Sequence, residues 1–256
     1  MSGAAADNWD QHWAELGPVA EIGPTPKYRR RLIFKLLRLP RQGESVRMLE
    51  IGSGTGEFAL TFLDRYPSST YLGVELSQIG VQLSARRVPA ARFVQRDLLQ
   101  PAGPEDFTDF RATHALCTEV LEHLEEPATL LKHASAYMTS GCRMIVTVPG
   151  GPMNAFYRHI GHRRHYKPAE LKALLERAGF RVDRTYGAGF PFFNLFRLFL
   201  TWRGDKFLPS VTGSPSALVR FASFALDLLF RFNFMHWGWQ TIAVASYTPD
   251  TIQKIR

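Results

Sequence analysis

Val46-Arg-Met-Leu-Glu-Ile51 runs directly into Gly52-Ser-Gly54-Thr-Gly56, and Glu57-Phe-Ala-Leu-Thr-Phe-Leu-Asp-Arg-Tyr66 follows. The first stretch is an apolar run that suits a buried strand, and the last spaces its apolar residues as a helix does. Glycines between them let the backbone turn tightly and approach a ligand closely. The same alternation continues downstream. YLGVEL (71–76), ARFVQRD (91–97), ATHALC (112–117) and CRMIVTV (142–148) read as strands. SQIGVQLSARR, EVLEHL, PATLLKHASAYM and PAELKALLERAGF read as helical, and RVDRTYG (181–187) and WQTIAVASY (239–247) as two further strands. Strands alternating with helices predict an α/β fold with a mostly parallel sheet.

The bulk numbers narrow the class. The 256 residues fit one large domain with a decorated end, and 45% hydrophobic content supports a sizeable core. The net charge of +8 favours acidic partners: phosphates, nucleic acid or an anionic membrane surface. Cys117 and Cys142 both sit in apolar runs and read as buried thiols of a reducing compartment. No signal peptide or spanning helix is expected, which gives a cytoplasmic protein, membrane-associated if at all.

Spacing separates two kinds of cofactor. A dinucleotide fingerprint is G-x-G-x-x-G, whereas this loop is G-x-G-x-G with Glu50 two residues ahead. A carboxylate there would repel pyrophosphate and suits a cationic ligand carrying a sulfonium and an amino group. Glu75 ends the next strand, where such folds place an acceptor for ribose hydroxyls, and Asp97 ends the third. MLEIGSGTGEFA, GVELS, FVQRDLL, LCTEVLEHLEEP and HYKPAELKALLERAGF occur in that order. Together they resemble the class I S-adenosylmethionine-dependent methyltransferases over about residues 46–187. The resemblance implies a Rossmann-like, seven-stranded, mostly parallel sheet whose last strand is antiparallel. It implies that Gly52, Ser53, Gly54 and Gly56, with Glu50, wrap the methionine part of the cofactor. Glu75 and Leu76 would meet the ribose side, Asp97 and Leu98 would flank the adenine, and Thr118 or Glu119 would face the transferred methyl.

Glu119, Glu122 and His123 form E-x-x-E-H just after the fourth strand. On a helix these positions share a face, and two carboxylates with an imidazole suit a hard cation. An exposed acidic helix start is the plainer reading. The stretch from His162 through Glu170 resembles a segment of the small-RNA 2′-O-methyltransferases, and the ubiquinone-pathway O-methyltransferases also carry an E-x-x-E-H helix. The first resemblance implies Mg²⁺ or Mn²⁺ on Glu119, Glu122, His123 and His162. The sequence departs from that family at His165, where a glutamate is expected. Without a metal, His123, His162 or His165 can serve as general base near neutral pH, or the basic run can bind an acidic substrate.

Three regions follow: an N-terminal arm and helix (1–45), the cofactor domain (46–189 and 239–256), and a hydrophobic helical cap (190–238). The cap is rich in phenylalanine, and Arg220, Asp227 and Arg231 fall on one helical face. It can pack on the sheet, form a homodimer, or meet a lipid surface. The expected activity is O-methylation of a small, sugar, natural-product or lipid-linked acceptor. The alternatives are RNA 2′-O-methylation, for which no RNA-binding module is evident, and a non-catalytic cofactor-binding scaffold.

Overall fold

The structure is a computed structural model that describes residues 8–20, 23–41, 44–101, 109–203 and 217–249. The Gly/Pro/Ser-rich loop expected inside the cap and the last residues of the chain lie outside that set. Two helices, α1 (Trp9–Ala20) and α2 (Pro24–Leu36), precede the sheet, where an arm and one helix are expected. The core then alternates β1 (Arg47–Ile51), α3 (Glu57–Arg65), β2 (Thr70–Glu75), α4 (Gln78–Arg87), β3 (Arg92–Gln95) and β4 (Ala112–Thr118). It continues through α5 (Pro127–Ala134), β5 (Met138–Pro149), α6 (Ala155–His159), α7 (Pro168–Arg177) and β6 (Phe180–Ala188). Helices α8 (Phe192–Arg203) and α9 (Ala217–Leu229) lead to β7 (Gln240–Tyr247).

The strands form one sheet in the order β3-β2-β1-β4-β5-β7-β6. Only β7 runs against its neighbours, pairing antiparallel with both β5 and β6. Strand pleating divides the core between the two faces. Leu49, Ile51, Val74, Cys117 and Val146 point to the face covered by α5 and α7. Met48, Tyr71, Leu116 and Ile145 point to the face covered by α2 and α3. Chain order reverses beside β1, which opens a crevice at the carboxyl ends of β1 and β4 where doubly wound folds bind ligands.

One expected helix is absent. Residues 119–124 turn instead: Glu119 has φ of +55°, and only Leu121–His123 make a single 3-10 turn. A left-handed residue cannot sit inside a right-handed helix, so Glu119 cannot share a helical face with Glu122 and His123.

The cap is held on three sides. Phe193 and Phe230 are buried against Tyr28 of α2. Asp227 turns inward to Arg31 of α2, while Arg220 and Arg231 face solvent, so the three do not act as one face. At its base the backbone closes a neck beyond β6 and β7. Gly189 N–H donates to Phe234 O (3.1 Å), Phe190 N–H to Trp237 O (2.9 Å) and Phe234 N–H to Phe190 O (2.7 Å). Among the described residues no helix is long and apolar enough to cross a membrane.

Candidate active site

The glycine loop shows why its residues are glycine. Gly52, Gly54 and Gly56 have φ of +72°, +53° and +78°, the left-handed region that costs other residues energy. Gly52 also lies against Val120: a Cβ there would stand 2.4 Å from Val120 Cγ2. Glu75, buried at the end of β2, accepts from Gly54 N–H (2.8 Å) and Ser77 N–H (3.0 Å), so one carboxylate braces the loop and the start of α4. Burial raises its pKa, and those backbone donors counter the shift. Arg87 holds the far side of the loop through Thr55 O at 2.8 Å.

Other residues assigned to the cofactor fall in three settings. Glu50 is buried and accepts from the Tyr71 hydroxyl; burial pushes its pKa up to about 8 despite that bond. It supports the loop from below. Asp97 caps its own turn by accepting from Leu99 N–H (2.8 Å), and the Leu98 side chain belongs to the core. Leu76 is exposed, an apolar surface next to Glu75.

Helix α1 covers the crevice, a feature not read from the sequence. Asp10 accepts from Ser77 Oγ (2.5 Å) and Ile79 N–H (3.2 Å), which lowers its pKa and ties α1 to the start of α4. The Trp13 indole lies over Gly54 and Gly80, so close that a Cβ on Gly54 would meet it at 2.9 Å. Its Nε1 faces Glu75 without a hydrogen bond of good geometry. Trp9 then packs edge-on against His123 at 4.8 Å. The only sequence signal was the Trp9/Trp13 spacing, which names no partner.

At the other end of the crevice, Glu122, His123 and His162 each turn one potential ligand atom to a common point, all within 4.8 Å of one another. Backbone pairing brings this about across forty residues: Arg163 N–H donates to Glu122 O (2.8 Å), and the Tyr166 hydroxyl to Leu121 O (3.1 Å). Glu122 is fully buried, and neither carboxylate oxygen has a hydrogen-bond partner among the described residues. Burial, then the nearby Glu119, raises its pKa well above the usual carboxylate range. Unpartnered buried oxygens of this kind are rare and call for an occupant.

The histidine tautomers follow from their neighbours. His123 Nδ1 lies 3.1 Å from Gly161 O, so Nδ1 carries the proton and Nε2 the lone pair. His165 Nδ1 donates to Gly151 O (3.1 Å), and its Nε2 accepts from His162 Nδ1 (3.2 Å), which leaves the His162 lone pair on Nε2. Burial, with His123 and His165 close by, lowers the His162 pKa to about 3, so its imidazole is neutral. His165 has both nitrogens engaged and orients His162; the geometry does not make it a base.

Glu119, expected with Glu122, His123 and His162 as a metal ligand, is held elsewhere. Thr147 Oγ1 (3.1 Å) and Gln240 Nε2 (2.8 Å) donate to its Oε1, and Arg29 of α2 stands 3.5 Å from its Oε2. With a left-handed backbone, its carboxylate meets partners on β5 and β7. Thr118 pairs with Thr147 at the end of β4, beside the crevice.

Known proteins bear on this geometry. A methyltransferase domain family model matches residues 26–185, well over half of the chain. The ubiquinone/menaquinone biosynthesis C-methyltransferase of Geotalea daltonii is 25% identical over 150 residues, 57% of this chain and 62% of that protein. The trans-aconitate 2-methyltransferase of Rhodopseudomonas palustris is 25% identical over 145 residues, 54% of this chain and 55% of that protein. The chain thus spans about six tenths of the length of these curated relatives. Among solved structures, the cyclase SpnF shares the fold with a TM-score of 0.62 at 17% identity, covering 97% of this chain and 99% of its own. With a matching family model, a seven-stranded sheet whose last strand is antiparallel and a glycine loop braced by Glu75, the chain belongs to the methyltransferase domain family.

Proposed function

We propose that this chain is an S-adenosylmethionine-dependent methyltransferase acting on a hydroxyl of a small or lipid-linked acceptor, and that Glu122, His123 and His162 hold a divalent cation beside it. The observation that carries the reading is the convergence of the three side chains, with the Glu122 oxygens buried and unpartnered. The donor chemistry fits a cation. His123, with Nδ1 on the Gly161 carbonyl, and a neutral His162, oriented through His165, have the supported ring positions usual for metal-ligating histidine, and a buried carboxyl whose pKa is raised would lose its proton to solvent as a cation bound. Two imidazoles and one carboxylate favour Mn²⁺ over Mg²⁺. A cation bound there would lower the pKa of a hydroxyl.

This chain's residues do the positioning. The glycine loop and Glu75 fix the sulfonium, and the acceptor oxygen must approach in line, so that the new O–C bond forms as the C–S bond breaks. Glu119 sits between the two ends of the crevice, clamped by Arg29, Thr147 and Gln240, where it can orient the acceptor. Without a cation, Nε2 of His123 would take the hydroxyl proton directly, since the lowered pKa of His162 makes it a poor base. Electron paramagnetic resonance with Mn²⁺ alone separates the two schemes. Binding that Glu122→Gln weakens at least tenfold supports the cation. No Mn²⁺ binding, or full methyl transfer after exhaustive chelation, removes it.

A further inference from the structure

We infer that the outer face of α8 and α9 docks on an anionic lipid bilayer. Along α9 and the turn after it, Phe221, Phe224, Leu228 and Phe232 recur at i, i+3, i+7 and i+11, which is one helical stripe. Phe221, Phe224 and Phe232 are 69%, 64% and 69% exposed. Trp202 near the end of α8 is 78% exposed, and Trp237 beside the neck 65%. Aromatic rings this open are not serving the core. That role falls to Phe193 and Phe230, which turn the other way and are buried. An exposed apolar patch of this extent marks an interaction surface.

Charge decides what covers it. Arg220 and Arg231 flank the stripe and are exposed. The one acidic side chain among the described residues from 192 to 239 is Asp227, and Arg31 of α2 neutralises it. The patch therefore presents aromatic rings rimmed by cations, on a chain of net charge +8. Interfacial helices have this composition: rings enter the headgroup region while arginines meet anionic lipids. A second copy of the chain would bring like-charged rims together. Among the described residues no helix is long and apolar enough to span, so the contact inferred is a peripheral one.

The patch also lies near the crevice. In α8, Arg197 reaches inward to donate to Gly150 O (2.9 Å), and Thr201 accepts from Asn154 (3.1 Å). The next residue, Gly151, carries the carbonyl that orients His165. A docked membrane would thus stand beside the acceptor end of the site. The inference is independent of the cation reading, because vesicle binding needs neither metal nor methyl transfer.

Flotation with vesicles of phosphatidylcholine containing one quarter phosphatidylglycerol tests it. The protein should float at low salt, less so on pure phosphatidylcholine. The double change Phe221→Asp/Phe224→Asp should lower the bound fraction at least tenfold while leaving S-adenosylhomocysteine affinity unchanged, which shows that it is folded. Arg220→Gln/Arg231→Gln, a milder pair, should abolish the preference for anionic vesicles. Emission from Trp202 and Trp237 should shift to the blue on vesicles. Failure to float, or equal flotation by the aspartate pair, overturns the inference. So does a concentration-dependent dimer, dissolved by the aspartate pair, in protein that does not float.

Discussion

Gly52→Ala should be costly for two separable reasons. At φ of +72° a Cβ strains the backbone by about 1–2 kcal/mol. The same Cβ would stand 2.4 Å from Val120 Cγ2, an overlap that forces the loop or the 119–123 turn to move, at about 1–3 kcal/mol by analogy with overpacked cores. The single variant should therefore lose about 2–5 kcal/mol of unfolding free energy by these two terms. Val120→Ala removes the offending methyl, and the Val120 Cβ that remains lies at 3.7 Å, an ordinary contact. The double variant should regain the steric part and keep the backbone part. Urea unfolding of the four proteins gives a coupling energy expected at about 1–3 kcal/mol. The site adds a second readout, since Val120 joins Glu119 to the Leu121–His123 turn. Gly52→Ala should weaken Mn²⁺ binding as well as S-adenosylhomocysteine binding, and Val120→Ala should restore the Mn²⁺ part. Additivity within about 0.5 kcal/mol would refute the reasoning, because the loop would then accept a methyl without touching Val120.

Glu75→Ala strands the N–H groups of Gly54 and Ser77 and removes the carboxylate expected to accept from a ribose; calorimetry should show S-adenosylhomocysteine affinity reduced by about 1–3 kcal/mol for each lost bond, and unchanged affinity would displace the cofactor site. His165→Phe, which frees the His162 ring to rotate, should weaken Mn²⁺ binding by about 10–100-fold while sparing cofactor affinity. Glu50 keeps its proton up to about pH 8 when folded but loses it near 4.5 when unfolded, so its contribution to stability is present below 4.5 and is lost as pH rises toward 8. Denaturation of the cofactor-free protein at several pH values in that window should show a shallower fall for Glu50→Gln than for wild type. Because the Trp13 indole lies over Gly54, titration with S-adenosylhomocysteine should change its fluorescence, and Trp13→Phe should abolish that change.

The cofactor half was legible because its signals are local. Three glycines at alternate positions after an apolar run, with an acid closing the next strand, lie within 26 residues of chain; the glycines make the turn, and Glu75 stands against it, bonded to Gly54 N–H. The candidate acceptor half was legible only in part. E-x-x-E-H promised one helical face, yet the left-handed Glu119 breaks it, and no local pattern foretells a positive φ at a glutamate. The partners that claim Glu119 lie on α2, β5 and β7, and the partner of Gly54 on α1, at separations where periodicity is silent. The His162–His165 relay depends on a carbonyl of Gly151, which a side-chain motif cannot name.

The neck at the base of the cap bears on how this protein could change its substrate. Three backbone hydrogen bonds between residues 189–190 and 234–237 bring the two ends of the segment together, whatever lies between them. Lengthening a closed loop adds entropy cost only logarithmically, about 0.6 kcal/mol for each doubling. The outward-facing residues beyond the neck, Phe221, Phe224 and Phe232 among them, can therefore be exchanged or repolarised while Phe193 and Phe230 stay packed on Tyr28 and the glycine loop stays intact. The outer surface of this segment is an evolutionary cassette: what it meets can be altered within one contiguous stretch of gene, with the glycine loop inherited unaltered.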